Sequence, residues 1–140
     1  MCEDFAKEQI EKNTPVAVLS CEGACIRGEI ARQAANLICF NHLPQKSARI
    51  CLGGVFTKDT GQRNLVKTAP REIALEGCFI ECGSRTRKGV IDGLKPEVVI
   101  VDRLVDFDKK LFAINDLSEE KVKDLAQETA NKIIESHFKI

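Results

Sequence analysis

Seven cysteines occur in 140 residues, and five of them have a spacing that could do chemistry. Cys21 and Cys25 form one Cys-x3-Cys pair, Cys78 and Cys82 form a second, and Cys51 stands between them. Thiolates are soft ligands and good nucleophiles. Two such pairs supply four soft donors, enough for a closed tetrahedral zinc site or, alternatively, an iron–sulfur cluster. Cys21, Cys25, Cys51, Cys78 and Cys82 are therefore the candidate metal ligands, with zinc the expected ion. Without metal, the same thiols could carry sulfur as a persulfide, one cysteine resolving another.

The elements that must position these thiols alternate between strand and helix. Pro15-Val16-Ala17-Val18-Leu19-Ser20 is a short apolar run of the kind found in buried parallel strands. It ends at Cys21. Ile26, Ile30, Ala34, Leu37, Ile38 and Cys39 then recur at helical spacing until the Asn41–Gln45 stretch, with Pro44, stops the helix. Further strands are expected near 49–53, running into a Gly53-Gly54 turn, near 72–76, ending at Gly77-Cys78, and near 97–102. Thr60 is expected to cap a short helix that breaks before Pro70. Phe79 to Lys88 reads as a helix stopped by Gly89, and its Arg85-Thr86-Arg87-Lys88 run as a solvated face. Asp116 or Ser118 caps a long last helix, with Val122, Leu125, Ala126, Thr129, Ile133 and Ile134 on its apolar side. Residues 1–13 lack a clear period and read as a frayed or weakly helical lead-in.

This alternation predicts an α/β fold: a single three-layer domain over 1–140, with a mostly parallel sheet of about four strands and helices on both faces. In such sheets ligands bind outside the carboxyl ends of the strands. Cys21 and Cys78 sit just past two strand ends and Cys51 near a third. Cys25 and Cys82 follow in the first turn of the next helix, one helical turn from their partners. A helix N-terminus favours thiolate over thiol.

Other residues read more plainly. Cys39 belongs to an apolar helix face, and Cys2 to the lead-in, with no role expected. His42 and His137 read as surface residues. Glu22 and Glu76 flank cysteines, and Asp102 follows the last strand.

Composition narrows the partners. The 21 basic and 21 acidic residues cancel, without the basic excess of a nucleic-acid binder. No apolar stretch approaches the roughly 20 residues of a membrane span. The polar, acidic opening residues do not read as a signal peptide, so a cytoplasmic location is expected. Thiols stay reduced there, which favours metal or catalytic cysteines over disulfides. The expected partner is a metal ion, with no nucleic acid and no membrane; the oligomeric state is not legible.

Two resemblances follow from these residues. Leu75-Glu76-Gly77-Cys78-Phe79-Ile80-Glu81-Cys82 resembles the signature of the DGC-domain family, named for an Asp-Gly-Cys motif at a strand end with a second cysteine four residues on. Ser20-Cys21-Glu22-Gly23, with Gly28, Ala31, Ala34 and Ala35, is similar to that family's N-terminal segment, and Cys51-Leu52-Gly53-Gly54-Val55 to its middle one. Glu76 stands where the name motif has Asp, and Cys25 one residue later than the family's second cysteine. The resemblance implies a zinc-binding protein. Separately, Cys21 to Arg27 reads Cys-x5-Arg and resembles the phosphate loop of low-molecular-weight tyrosine phosphatases and arsenate reductases. It would make Cys21 a nucleophile and Arg27 a bidentate phosphate ligand, with Asp106 or Asp108 as general acid. Gly28 replaces the Ser or Thr of that loop, and Cys51, Cys78 and Cys82 are left without a role unless they relay a disulfide.

Overall fold

The computed structural model describes residues 2–14 and 16–138. Met1 and Pro15, placed by sequence in the lead-in and the first strand, lie outside the described residues. Four strands, β1 (Val16–Ser20), β2 (Ser47–Arg49), β3 (Arg71–Glu76) and β4 (Glu97–Ile100), pair in the order β2-β1-β3-β4, all parallel. Six helices accompany them: α1 (Cys2–Glu11), α2 (Ile26–Asn36), α3 (Leu52–Phe56), α4 (Gly61–Thr68), α5 (Cys82–Lys88) and α6 (Glu119–His137).

The strand order dictates which face each helix covers. A parallel crossover is right-handed, so connections running in opposite directions along the sheet put their helices on opposite faces. The connection from β1 to β2 runs one way and carries α2; that from β3 to β4 runs the other way and carries α5. Alternation along the strands matches. Val16, Val18, Ile73 and Leu75 bury against α2 and α6, while Ala17, Leu19 and Ala74 bury against Leu65, Val66 and Val55 of α3 and α4. The three-layer α/β architecture expected from the sequence is present. No helix among the described residues is long and apolar enough to cross a membrane.

Local signals held where they were strongest. The Thr60 hydroxyl accepts the Arg63 N–H at 3.1 Å and caps α4. Ser118, not Asp116, caps α6, accepting the Lys121 N–H at 3.1 Å, while Asp116 accepts the Phe112 and Ala113 N–H groups. The α2 helix continues through wide π turns over Leu37–His42 before stopping.

The lead-in, read as frayed or weakly helical, is the helix α1, because α4 gives it a surface: Ala6 is fully buried, and Glu3 accepts the Gly61 N–H that opens α4 at 2.9 Å. Three expectations need correction. The second strand ends at Arg49, and Leu52-Gly53-Gly54-Val55 coils into α3 instead of a glycine turn. The α5 helix starts at Cys82, three residues late, after Glu81 takes a left-handed φ of 53°. Finally, the Arg85–Lys88 run is not wholly solvated. Arg87 is fully buried, 2.5 Å from the Glu72 carboxylate.

Candidate functional site

The strand order reverses between β1 and β3, so the connections leaving these two strands diverge and open a crevice at their carboxyl ends. Cys21 lies at this point. Its N–H continues the ladder to the Leu75 carbonyl at 2.8 Å, and its sulfur is buried. That sulfur accepts the Gly23 N–H at 3.2 Å and a second hydrogen bond from the Gly77 backbone. Burial pushes the Cys21 thiol up to about 11, with the two backbone donors working against the shift and Cys82 and Glu76 adding to it. At neutral pH Cys21 is a thiol in a cradle built for a thiolate.

The cradle depends on glycine. A Cβ on Gly77 would lie 2.8 Å from the Gly28 nitrogen and 2.9 Å from the Arg27 carbonyl carbon. The end of β3 is thus pressed directly onto the first turn of α2, which is what brings the Gly77 N–H to Cys21.

The remaining cysteines divide into two groups. Cys82 is the exposed first residue of α5 and acts electrostatically on Cys21. Cys78 opens the turn before it, closed by the Glu81 N–H on the Cys78 carbonyl at 3.2 Å. Cys25 is the N-cap of α2 and pairs in an antiparallel bridge with Ala113. Its sulfur and that of Cys21 lie 3.8 and 3.1 Å from the point a Gly23 Cβ would occupy. Cys51 faces a cavity with Cys2, and none of the other four cysteines lines it. His42 meets Gln127 and His137 meets Glu97, so neither joins the cysteines. Cys39 sits in the apolar core as expected, its thiol pushed up to about 11 by burial.

In kind, the four thiols around β1 and β3 suit a soft ion. In spacing they stand apart: among the described residues, no three His, Cys, Asp or Glu side chains are placed to hold a metal ion.

Arg27 does not serve the Cys21 loop. Its Nε donates to Asp102 at 2.8 Å, and its terminal nitrogens donate to the Leu111 and Lys109 carbonyls at 3.2 and 3.0 Å. Its guanidinium also lies 5.3 Å from the Phe107 ring centre. Burial of Asp102 opposes ionisation, but Lys109 and Arg27 outweigh it and hold the carboxyl below its usual range. Of the two proposed general acids, Asp106 is exposed, and Asp108 accepts the Lys110 N–H at 3.0 Å. The phosphate-loop reading thereby loses its arginine. Reduced protein is expected to show no turnover of an aryl phosphate; turnover that Arg27→Lys abolishes would restore that reading.

Sequence reasoning missed one buried polar cluster. Glu72, Ala74 and Glu76 share one face of β3, and that face meets α5. Glu76, only 1% exposed, accepts the Ser84 N–H at 3.2 Å and so caps the helix that carries Cys82. Glu22, by contrast, is half-exposed and 3.7 Å from Arg49. The period-two spacing of Glu72 and Glu76 on an otherwise apolar strand was the available signal.

A family model described as the DGC domain matches residues 17–135. No curated protein and no solved structure matches the chain.

Proposed function

The chain belongs to the DGC-domain family, and from that premise we propose that it binds a soft metal ion, zinc first, through Cys21, Cys25, Cys78 and Cys82. The observation that carries this reading is the Cys21 sulfur. It is buried at the point where the strand order reverses, faces two backbone N–H donors, and lies beside a second cysteine. A buried thiol with that environment gains most when a cation replaces its proton. Cys21 at the end of β1 and Cys82 at the start of α5 would hold the ion, and Cys78 and Cys25 would complete the set. Glu76 positions Cys82 by capping α5, and Gly77 positions the N–H that faces Cys21. An ion bound here supplies positive charge to the thiolates. Because the four sulfurs stand apart, binding is coupled to a rearrangement of the turn from Cys78 to Glu81.

Metal analysis of protein purified without oxygen, with its absorption spectrum, tests this. The expected result is one ion per chain and no visible absorption; strong visible bands would identify an iron–sulfur cluster in the same ligands. Cys82→Ser and Cys21→Ser should lose most of the metal, and Cys39→Ser should keep it. Affinity should rise with pH, by about tenfold per pH unit for each proton released, because the ligands must be deprotonated. Protein that neither retains zinc nor takes it up from solution would end the proposal.

A further inference from the structure

A cavity of about 440 Å³ opens between α1, the end of β2 and the C-terminal part of α2. Cys2 and Cys51 both line it, among Phe5, Phe40, Arg49 and Gln62. One side chain links the two cysteines. Gln62 is 1% exposed, and its Oε1 accepts the Cys51 N–H at 2.8 Å, while its amide also interacts with the Cys2 sulfur. The placement is held from both sides. Glu3, the residue after Cys2, is anchored on the Gly61 N–H, and Ile50, the residue before Cys51, donates to the Val18 carbonyl at 2.8 Å. Both thiols are exposed, so a small reagent can reach them.

We propose that Cys51 and Cys2 are a reactive dithiol pair that exchanges with small disulfides entering this cavity and closes to an intramolecular disulfide. It does not rest on the metal reading, since Cys21, Cys25, Cys78 and Cys82 do not line the cavity.

The chemistry balances without a further oxidant. The Cys51 thiol loses its proton to solvent, and the thiolate attacks one sulfur of the small disulfide. That S–S bond breaks, and the first small thiolate leaves and is protonated. The Cys2 thiolate then attacks the Cys51 sulfur of the mixed disulfide, releasing the second small thiol. Two electrons pass from the Cys2–Cys51 dithiol to the incoming disulfide. Cys51 is the attacking residue because its backbone is fixed in the cavity wall, its own N–H on Gln62 and the preceding Ile50 carbonyl on Arg49. Cys2 is the resolving residue. Slight desolvation where it meets the cavity wall, with Cys51 and Glu3 adding to it, pushes that exposed thiol up. The disulfide would clasp the first turn of α1 to the end of β2. The apolar walls of Phe5, Phe40 and Ile50 suit an uncharged small disulfide.

The test uses reduced, metal-free protein and hydroxyethyl disulfide, followed by alkylation and peptide mapping by mass spectrometry. The expected product has lost two hydrogens and links the Cys2 and Cys51 peptides. Cys2→Ser should stop at a mixed disulfide on Cys51. Cys51→Ser should form no intramolecular link and stop at a mixed disulfide on Cys2. Links spread over Cys21, Cys78 and Cys82, disulfides between chains, or mixed disulfide in Cys2→Ser at sites other than Cys51 would each overturn the proposal.

Discussion

At pH 8, where Glu72 is ionised in the parent, Glu72→Gln is expected to destabilise the fold by about 3–5 kcal/mol, the range for removing one partner of a buried ion pair. Glu72 is 6% exposed and Arg87 fully buried, with the Arg87 Nε 2.5 Å from the carboxylate. Without that carboxylate the guanidinium stays charged, because it cannot give up its proton at any accessible pH. Arg87→Met should cost less. The two carboxyls it leaves behind, Glu72 and Glu76, can both take protons and become neutral. Replacing the pair together, as Glu72→Leu with Arg87→Met, should recover most of the loss, since an apolar pair of similar volume has no desolvation to offset. Urea unfolding of the three variants measures this. A loss under about 1 kcal/mol for Glu72→Gln would mean that Arg87 finds Glu76 or solvent instead.

The same cluster sets a pH dependence whose sign follows from burial. Burial pushes Glu72 up from 4.5 to about 7, against the pull of Arg87. Burial pushes Glu76 up as well, with the Ser84 N–H and Arg87 opposing it. An acid with a raised folded value holds its proton more tightly folded than unfolded. Its contribution is therefore full below about 4.5 and is lost as pH rises to about 7. Glu97, held below its usual range by Arg71, acts the other way and loses its contribution in acid. Unfolding followed between these limits should show the Glu72→Leu/Arg87→Met variant losing less stability with rising pH than the parent. An equal or steeper fall in the variant would exclude Glu72 as the source.

Gly77→Ala is the second large effect expected, and it bears on both stability and the cysteine site. The added Cβ would meet two backbone atoms, the Gly28 nitrogen at 2.8 Å and the Arg27 carbonyl carbon at 2.9 Å. No flexible side chain is there to give way, so the end of β3 must move off α2. Overpacking of this kind costs about 1–3 kcal/mol, and more where backbone must shift. The movement carries the Gly77 N–H away from Cys21 and displaces Cys78, so zinc affinity should fall by about 10–100-fold, as for other groups that orient metal ligands. Gly53→Ala is the matched control. Nothing lies within 4 Å of its added Cβ, and the residue is inside α3. That change should be neutral or slightly stabilising, since Ala favours a helix interior by about 0.5–1 kcal/mol over Gly. Equal losses in the two variants would show that the packing of Gly77 on α2 does not matter.

Local pattern determined a large part of this protein. The apolar runs before Cys21 and Cys78, the helical period from Ile26 to Cys39, and Ser118 ahead of an amphipathic run are each contained within a few turns of chain. They led to parallel strands, to helices on both faces, and to two cysteines at strand ends. Those features survive folding because hydrophobic period and capping are properties of neighbouring residues. The sequence could not say where a side chain with several possible partners would go. Arg27 stands six residues after Cys21 and reads as its phosphate ligand, yet Asp102 and the Lys109 and Leu111 carbonyls, distant in sequence, claim its donors. Arg87 reads as one of a run of surface cations, yet the face of β3 opposite α5 presents Glu72. The first helix has little periodicity of its own and exists because α4 covers Ala6. Cys51 lies at a strand end like Cys21, but β2 is the edge strand, and α1 brings Cys2 to it across a cavity. In each case the outcome depends on strand order and on which helix lies opposite, quantities set by long-range packing that no local spacing encodes.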